Sequence, residues 1–260
     1  PLSPKSIRNI HGILSKCLST AVKLEYIRRN PAKSATLPRV DHKELKPLTD
    51  GQVSKMVAQA GNDGFGTLFK VVVFTGLRLG EALGLTWDCV DFQKNRLTIN
   101  KQLQKRPLSD GGFTFAPLKN DKVRVIAPAP FVLALLKQWK QKQAEDKLLS
   151  GSLWKGWKTE KERQAAIVFT NELGGHLHPQ TVYNHIKKLA ASVGAPQARV
   201  HDLRHTYAVL SLQNGDDVKM VQGNLGHATA AFTLDVYGHV FEHMKEASAQ
   251  RMQQYIENMG

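Results

Sequence analysis

The stretch FGTLFKVVVFTGLRLGEALGL, residues 65–85, decides how the chain folds. Its apolar pattern reads as a helix interrupted at Thr75-Gly76. Gly76 and Gly80 would each cost a continuous helix about 1 kcal/mol relative to alanine, so something other than helix stability is served there. Gly76 permits a break that aims Arg78 at a ligand, and Glu81, three residues on, is placed to hold the guanidinium or the adjacent backbone. The same residues also read as an i,i+3 Arg–Glu pair on a surface.

Working outward, Thr49-Asp50 caps a preceding helix that runs through Ala60. After Leu85 the period changes. Arg96–Gln104 and Lys122–Pro128 alternate apolar with polar residues, which predicts a small antiparallel sheet separated by the glycine-bearing loop Ser109–Gly112. Helical patterning returns at Phe131–Leu149, followed by a polar loop at Ser150–Arg163 and a short strand at Ile167–Thr170. Pro179 and Gly194 bracket a helix over Gln180–Val193, and Asn214-Gly215 stops another over Val200–Gln213. Asp216 is expected to cap the next helix through Leu225, Thr229 to cap Ala230–Tyr237, and Val240–Met259 to form a last amphipathic helix. The expected class is mainly α with a small antiparallel β-sheet, α+β.

Charge is unevenly spread. The chain of 260 residues carries 36 Lys+Arg against 22 Asp+Glu, a net +14 that points to a polyanionic partner. The first 48 residues hold ten of the basic residues and three acids, a net +7, or half the total. Ile7, Ile10, Leu14, Leu18, Ala21 and Ile27 form one helical stripe there, with Ser3 or Ser6 as N-cap, giving one long helix or a helix pair. Such a segment cannot close a core alone and reads as the tail of a helical domain whose beginning is missing, in keeping with a chain that starts at Pro1. Pro31, Pro38 and Pro47 punctuate the run that follows. The expected division is residues 1–38, a linker at 39–48, and a main domain at 49–260.

At 42% hydrophobic residues and 22% charge the composition is that of a folded protein. No window approaches the ~18 apolar residues of a bilayer span and no leader opens the chain, so a soluble, cytoplasmic protein is expected. Cys17 and Cys89 lie 72 positions apart, which gives neither a disulfide framework nor a C-x-x-C pair, and no metal or cofactor is expected.

Beyond Arg78 and Glu81, the chemistry-bearing residues fall in three places. In His201-Asp-Leu-Arg204-His205, helical spacing projects an imidazole and a guanidinium into one cleft, an arrangement suited to gripping an oxyanion. A surface ion pair and a capped helix remain the plainer reading. A zinc site like H-E-x-x-H fits poorly, because Arg204 would place a fixed positive charge beside the metal. Lys119 lies in Pro117-Leu-Lys-Asn-Asp-Lys122-Val-Arg124, at a turn whose ammonium can protonate a leaving alkoxide or simply be solvated. Leu225-Gly-His227 is followed ten residues later by Tyr237, either a core plug or a phenol exposed for reaction. As a nucleophile that phenol needs positive groups around the phosphorus it attacks. A helix-turn-helix over Asp216–Tyr237 is disfavoured by the apolar character of its second helix.

Together, T-G-L-R-L-G-E, K-x-x-K-x-R before a strand, H-D-L-R-H-T, and L-G-H with a tyrosine ten residues later resemble the phage integrase, or tyrosine recombinase, family. The resemblance covers residues 49–260 as a catalytic domain. S-P-K-S-I-R-N-I-H and R-R-N-P-A within residues 1–38 are similar to the closing helices of that family's core-binding domain. It implies Tyr237 as the nucleophile, Arg78 and Arg204 as clamps on the non-bridging oxygens, Lys119 or its neighbour Lys122 as general acid, and His201 and His227 as aids to proton transfer. It implies a site-specific recombinase that inserts and excises a mobile element through a 3′-phosphotyrosyl intermediate and a four-way junction. A topoisomerase-like cutting and resealing activity and a catalytically silent DNA-binding protein are the alternatives.

The expected partners are double-stranded DNA attachment sites and further copies of the chain in a homo-tetramer, with the helix at 240–259 passed between protomers. Accessory DNA-bending or directionality factors would join them. Contacts to phosphate are expected from Lys5, Arg8, Lys16, Arg28 and Arg29. Lys33, Arg39, Lys122 and Arg124 are expected to add to them. Fixed guanidinium charge would stand where many nucleases use a divalent cation, and a phosphotyrosyl bond conserves the energy of the bond it replaces, so neither metal nor ATP is expected.

Overall fold

The computed structural model describes residues 1–40, 47–107, 109, 112–118, 122–226, 249–250 and 252–259. The chain divides into two units, Pro1–Glu44 and Leu45–Gly260. In the first, α1 (Pro4–Lys23) starts where the Ser3 hydroxyl accepts from the Ser6 amide and Pro4 takes the first turn, where a missing N–H is harmless. One helix carries the stripe from Ile7 to Ala21, and Ile27 lies beyond its end. The chain then doubles back and makes a 3₁₀ turn at Pro31–Ser34. Buried Asn30 makes the return specific. Its Nδ2 donates to the Ser15 carbonyl at 2.8 Å and the Ser19 hydroxyl at 2.9 Å, and its Oδ1 accepts from the Ala32 amide at 2.9 Å. Arg8 Nε reaches the Pro38 carbonyl at 2.7 Å. Ile7, Ile10, Ile13 and Leu14 stay exposed.

The second unit runs α2 (Asp50–Gln59), α3 (Gly64–Thr75), α4 (Leu79–Leu83), β1 (Val90–Asp91), β2 (Arg96–Ile99), β3 (Gln102–Lys105), β4 (Phe113–Ala116) and β5 (Arg124–Ile126). It continues with α5 (Pro130–Ser150), α6 (Glu160–Gln164), α7 (Pro179–Ser192), α8 (Val200–Gln213) and α9 (Val218–Leu225). The class is α+β, mainly helical. Helix α3 is apolar on most of its surface and is covered on all sides, packing against α5, α7 and α8, with the ammonium of its one charged residue, Lys70, held by the Gly61 carbonyl and Asn62. Leu68, Phe69, Val71, Val72 and Val73 are all but inaccessible, and Leu97, Ile99, Leu136, Phe169 and Leu203 close the core around them.

A polar node ties α5 to the segment 167–170. Fully buried Gln143 donates to the Val168 carbonyl and the Thr170 hydroxyl, both at 2.8 Å, and accepts from Trp87 Nε1 at 3.0 Å. The segment itself is not a strand but two isolated bridges, Thr86 with Ile167 and Thr170 with His176.

The sheet differs from the expectation. Residues 96–104 are not one strand: β2 pairs antiparallel with β1 and β5, while β3 forms a separate hairpin with β4, a strand absent from the expected set although Phe113–Ala116 alternates as a strand does. Leu97, Ile99 and Leu103 are all buried, as their alternation requires. Period two fixes which face turns inward but not which partner a strand takes. The loop 150–163 also contains most of a short helix, α6, capped by Thr159. Asp217, not Asp216, caps α9, accepting from the Lys219 amide at 2.7 Å, while Asp216 accepts from the Ser211 hydroxyl instead. Thr229, the helix expected over 230–237, residues 240–248 and linker residues 41–46 lie outside the described residues. Among the described residues no helix is long and apolar enough to cross a membrane.

Candidate active site

The break in the opening stretch falls where the glycine arithmetic puts it. Gly76 ends α3 in the left-handed region, at φ 65°, its amide donating to the Val72 carbonyl at 2.9 Å. A Cβ there would lie 2.5 Å from Tyr207 Cδ1 and 2.6 Å from Leu225 Cδ2, so space as well as backbone conformation demands glycine. The turn delivers Arg78 to the N-cap of α4. Glu81 performs both tasks the sequence allowed it, accepting from the Arg78 amide at 3.0 Å and from Arg78 Nη1 at 2.8 Å. Glu81 is buried whereas the Arg78 side chain is about a third exposed, so the pair is not the surface ion pair of the plainer reading.

Helix α8 supplies the second cation. Arg204 is 2% exposed. Its Nη1 donates to the Gly76 carbonyl at 2.7 Å and its Nη2 to the Leu225 carbonyl, so one guanidinium joins the turn before Arg78 to the end of α9. These carbonyls orient it while leaving it its charge. His201, one turn earlier, is exposed and sits edge-on to the buried His205, ring centroids 4.9 Å apart. Partial desolvation, then the charges of Arg204, Arg78 and Arg199, hold the His201 imidazole below its usual pKa against the opposing pull of Asp202. It is therefore neutral near pH 7 and able to accept a proton. Burial, and next His201, push His205 down to about 4. Asp202 is occupied in starting the helix, accepting from the Arg199 amide at 2.9 Å and from its guanidinium at 3.1 Å.

Arg124 is the departure. Grouped by sequence with the phosphate contacts, it is turned inward: Nη2 and Nη1 meet the two Glu81 oxygens at 2.6 and 3.1 Å, and Nε donates to the Asn224 carbonyl at 2.9 Å. A strand residue facing the core next to a buried carboxylate is drawn into pairing with it. Burial would raise the Glu81 carboxyl, but the hydrogen bonds and charge of Arg124, joined by Arg78, hold it below the ordinary carboxylate range. Lys5, Arg8, Lys16, Arg28, Arg29, Lys33, Arg39 and Lys122 are exposed. Lys119, His227 and Tyr237 lie outside the described residues. Among the described residues no cluster of three or more metal-ligating side chains occurs. What the geometry assembles is a preset cationic cluster: Arg78, Arg204 and the imidazole of His201, locked by a buried carboxylate and helix-end carbonyls, as an oxyanion with several oxygens requires.

The phage integrase family profile matches residues 39–244. A tyrosine recombinase XerC-like protein of Caldanaerobacter subterraneus subsp. tengcongensis is 26% identical, over 96% of this chain and 66% of its own length. The ICEBs1 integrase of Bacillus subtilis is 27% identical over the same shares. The chain thus spans about two thirds of the length of these curated relatives. Among solved structures, the Tn1549 transposon integrase in complex with transposon right end DNA shares the fold, with a TM-score of 0.76 and 21% identity over 97% of this chain and 80% of that one.

Proposed function

The chain belongs to the phage integrase family, and on that premise we propose that it cuts and rejoins DNA as a site-specific recombinase of a mobile element. The observation that carries the reading is the Arg204 to Gly76 hydrogen bond, which fixes two guanidinium-bearing segments, distant in the chain, around one site beside His201. A phosphodiester carries its negative charge on two non-bridging oxygens, and attack on phosphorus adds more. Arg78 and Arg204 meet that charge without reorganising.

In the proposed step the Tyr237 phenol gives its proton to an imidazole, His201 or His227, and its oxygen bonds to phosphorus. The bond to the 5′ oxygen breaks, and that oxygen takes a proton from Lys119, or from Lys122 three residues on. The product is a 3′-phosphotyrosine and a free 5′-hydroxyl. Attack by the 5′-hydroxyl of a second duplex reverses each transfer and seals the exchanged strand, with the number of phosphoester bonds unchanged. DNA attachment sites are the substrate, four protomers assemble on them, and the segment at 240–259 passes between neighbours. Accessory bending factors and a cytoplasmic location complete the reading.

The test is a nicked duplex, obtained by rounds of binding-site selection with this chain, incubated with protein in EDTA and run on a denaturing gel. A covalent protein–DNA adduct that disappears in Tyr237→Phe is the expected result. An adduct that survives the substitution rejects Tyr237, and one abolished by EDTA rejects metal-independent chemistry.

A further inference from the structure

We propose that Arg124 is a positioning residue for the cleavage step: it acts through Glu81 to aim Arg78, and through the Asn224 carbonyl it ties β5 to the end of α9. The inference rests on the recombinase reading above. Arg124 stands on β5, five residues after Lys119. Its guanidinium forks onto both Glu81 oxygens, and the same two oxygens take the Arg78 amide and the Arg78 guanidinium. Glu81 therefore sits between two arginines, and its direction fixes that of Arg78. The third nitrogen of Arg124 caps the last turn of α9 at Asn224, three residues before His227. Gly226, at φ 64°, leaves space for this: a Cβ there would meet Arg124 Nη1 at 3.2 Å.

The side chain is mostly buried and engaged by protein on every nitrogen. Pairing one carboxylate with two cations has a chemical consequence. Glu81 stays ionised, yet the cluster of Arg78, Arg124 and Glu81 keeps a net positive charge with which to meet phosphate. Remove Arg124 and the buried Glu81 neutralises Arg78 instead.

This arrangement can be separated from a purely structural role by the substrate. A methylphosphonate at the scissile position lacks one charged non-bridging oxygen, so it asks less of Arg78. Adduct formation by Arg124→Met, Arg124→Lys and Glu81→Gln is compared with the unsubstituted chain on selected nicked duplexes carrying either a phosphodiester or a methylphosphonate. Protein folding is checked by thermal melting. The expected loss is about 10²-fold on the phosphodiester, the scale of a misplaced catalytic group, and about tenfold or less on the methylphosphonate. Arg124→Lys, which keeps a charge but not the fork, falls between. Equal losses on both substrates overturn the proposal and make Arg124 a fold residue only. Should Arg124→Met fail to fold, Arg124→Lys and Glu81→Gln carry the same comparison. A failure of the unsubstituted chain to form any adduct is a different result: it removes the recombinase reading itself, and the inference with it.

Discussion

Arg204 Nη1 lies 2.7 Å from the carbonyl oxygen of Gly76, 128 residues earlier in the chain, and the guanidinium that makes this bond is almost wholly buried. The bond makes the spacing of the two cationic segments a property of the fold rather than of the bound ligand. Arg204→Lys offers a single ammonium where two carbonyls on different elements are served by a planar fork. The expected result is a fall of about 10² to 10³ in the rate of adduct formation, the scale seen when one donor to a developing oxyanion is lost. The buried carbonyl left unpaired costs about 1–3 kcal/mol, read as a lowered melting temperature. An activity loss without any change in melting would contradict the double role.

Gly76→Ala places a methyl group against Tyr207 and Leu225 and forces an L-residue into the left-handed region. A destabilisation of about 1–3 kcal/mol is expected. At this chain length that lowers the melting temperature by roughly 2–4 °C per kcal/mol. Gly76→Asn tolerates φ above zero but adds a larger side chain at the same crowded position, so it is expected to melt no higher than Gly76→Ala. A higher melting temperature for Gly76→Asn would leave the conformation, not the crowding, as the reason for glycine.

His205 gives stability a pH dependence. Its folded pKa of about 4 lies below the ordinary value of 6.5, so the unfolded chain binds the extra proton. Stability from this group is complete above about pH 6.5, falls as pH drops towards 4, and is gone below it, for a total of up to about 3 kcal/mol. Urea melts at pH 7.5 and 4.5 measure it. His205→Phe should flatten the slope over that interval, and an unchanged slope would reject the assignment.

Gln143 lies in the polar node away from the candidate site. Gln143→Leu leaves Trp87 Nε1 without its acceptor and Thr170 without its donor in a buried place. A loss of about 3 kcal/mol is expected in denaturant unfolding, with adduct formation per folded molecule unchanged.

Deleting residues 1–38 removes seven basic residues against one acid. Weaker DNA binding and a shallower dependence on salt are expected, by about 0.9 in the log–log slope for each phosphate that is no longer neutralised. Fluorescence anisotropy across a salt series decides it, and identical slopes would place the phosphate-binding residues elsewhere.

What the sequence made legible was local. The cost of glycine inside an apolar helix locates the break at Gly76, and i,i+3 spacing alone pairs Arg78 with Glu81. Caps, breakers and periodicity put helices through Ala60, over Phe131–Leu149 and over Val200–Gln213, within a residue of the observed 50–59, 130–150 and 200–213. The largest departure originates in long-range pairing. Nothing within a few residues of Arg124 reveals that its partners are Glu81 and Asn224, so a basic residue in a basic protein reads as a phosphate contact. The others are local: the β3–β4 hairpin pairs residues only 8 to 14 positions apart, and the choice between Asp216 and Asp217 as cap depends on which of two adjacent carboxylates the Ser211 hydroxyl claims. Arg199 gives no signal because its work at the start of α8 is done by pairing with Asp202, not by a capping side chain of the usual kind.

The end of α9 shows what the fold asks of its arginines apart from chemistry. Arg124 and Arg204 donate to the carbonyls of Asn224 and Leu225, consecutive acceptors at a helix end. On the recombinase reading, a descendant that gave up strand exchange would be released from keeping its nucleophile long before it could discard either guanidinium. Inactive offspring of this architecture should be recognisable by a substituted Tyr237 alongside an intact pair of arginines.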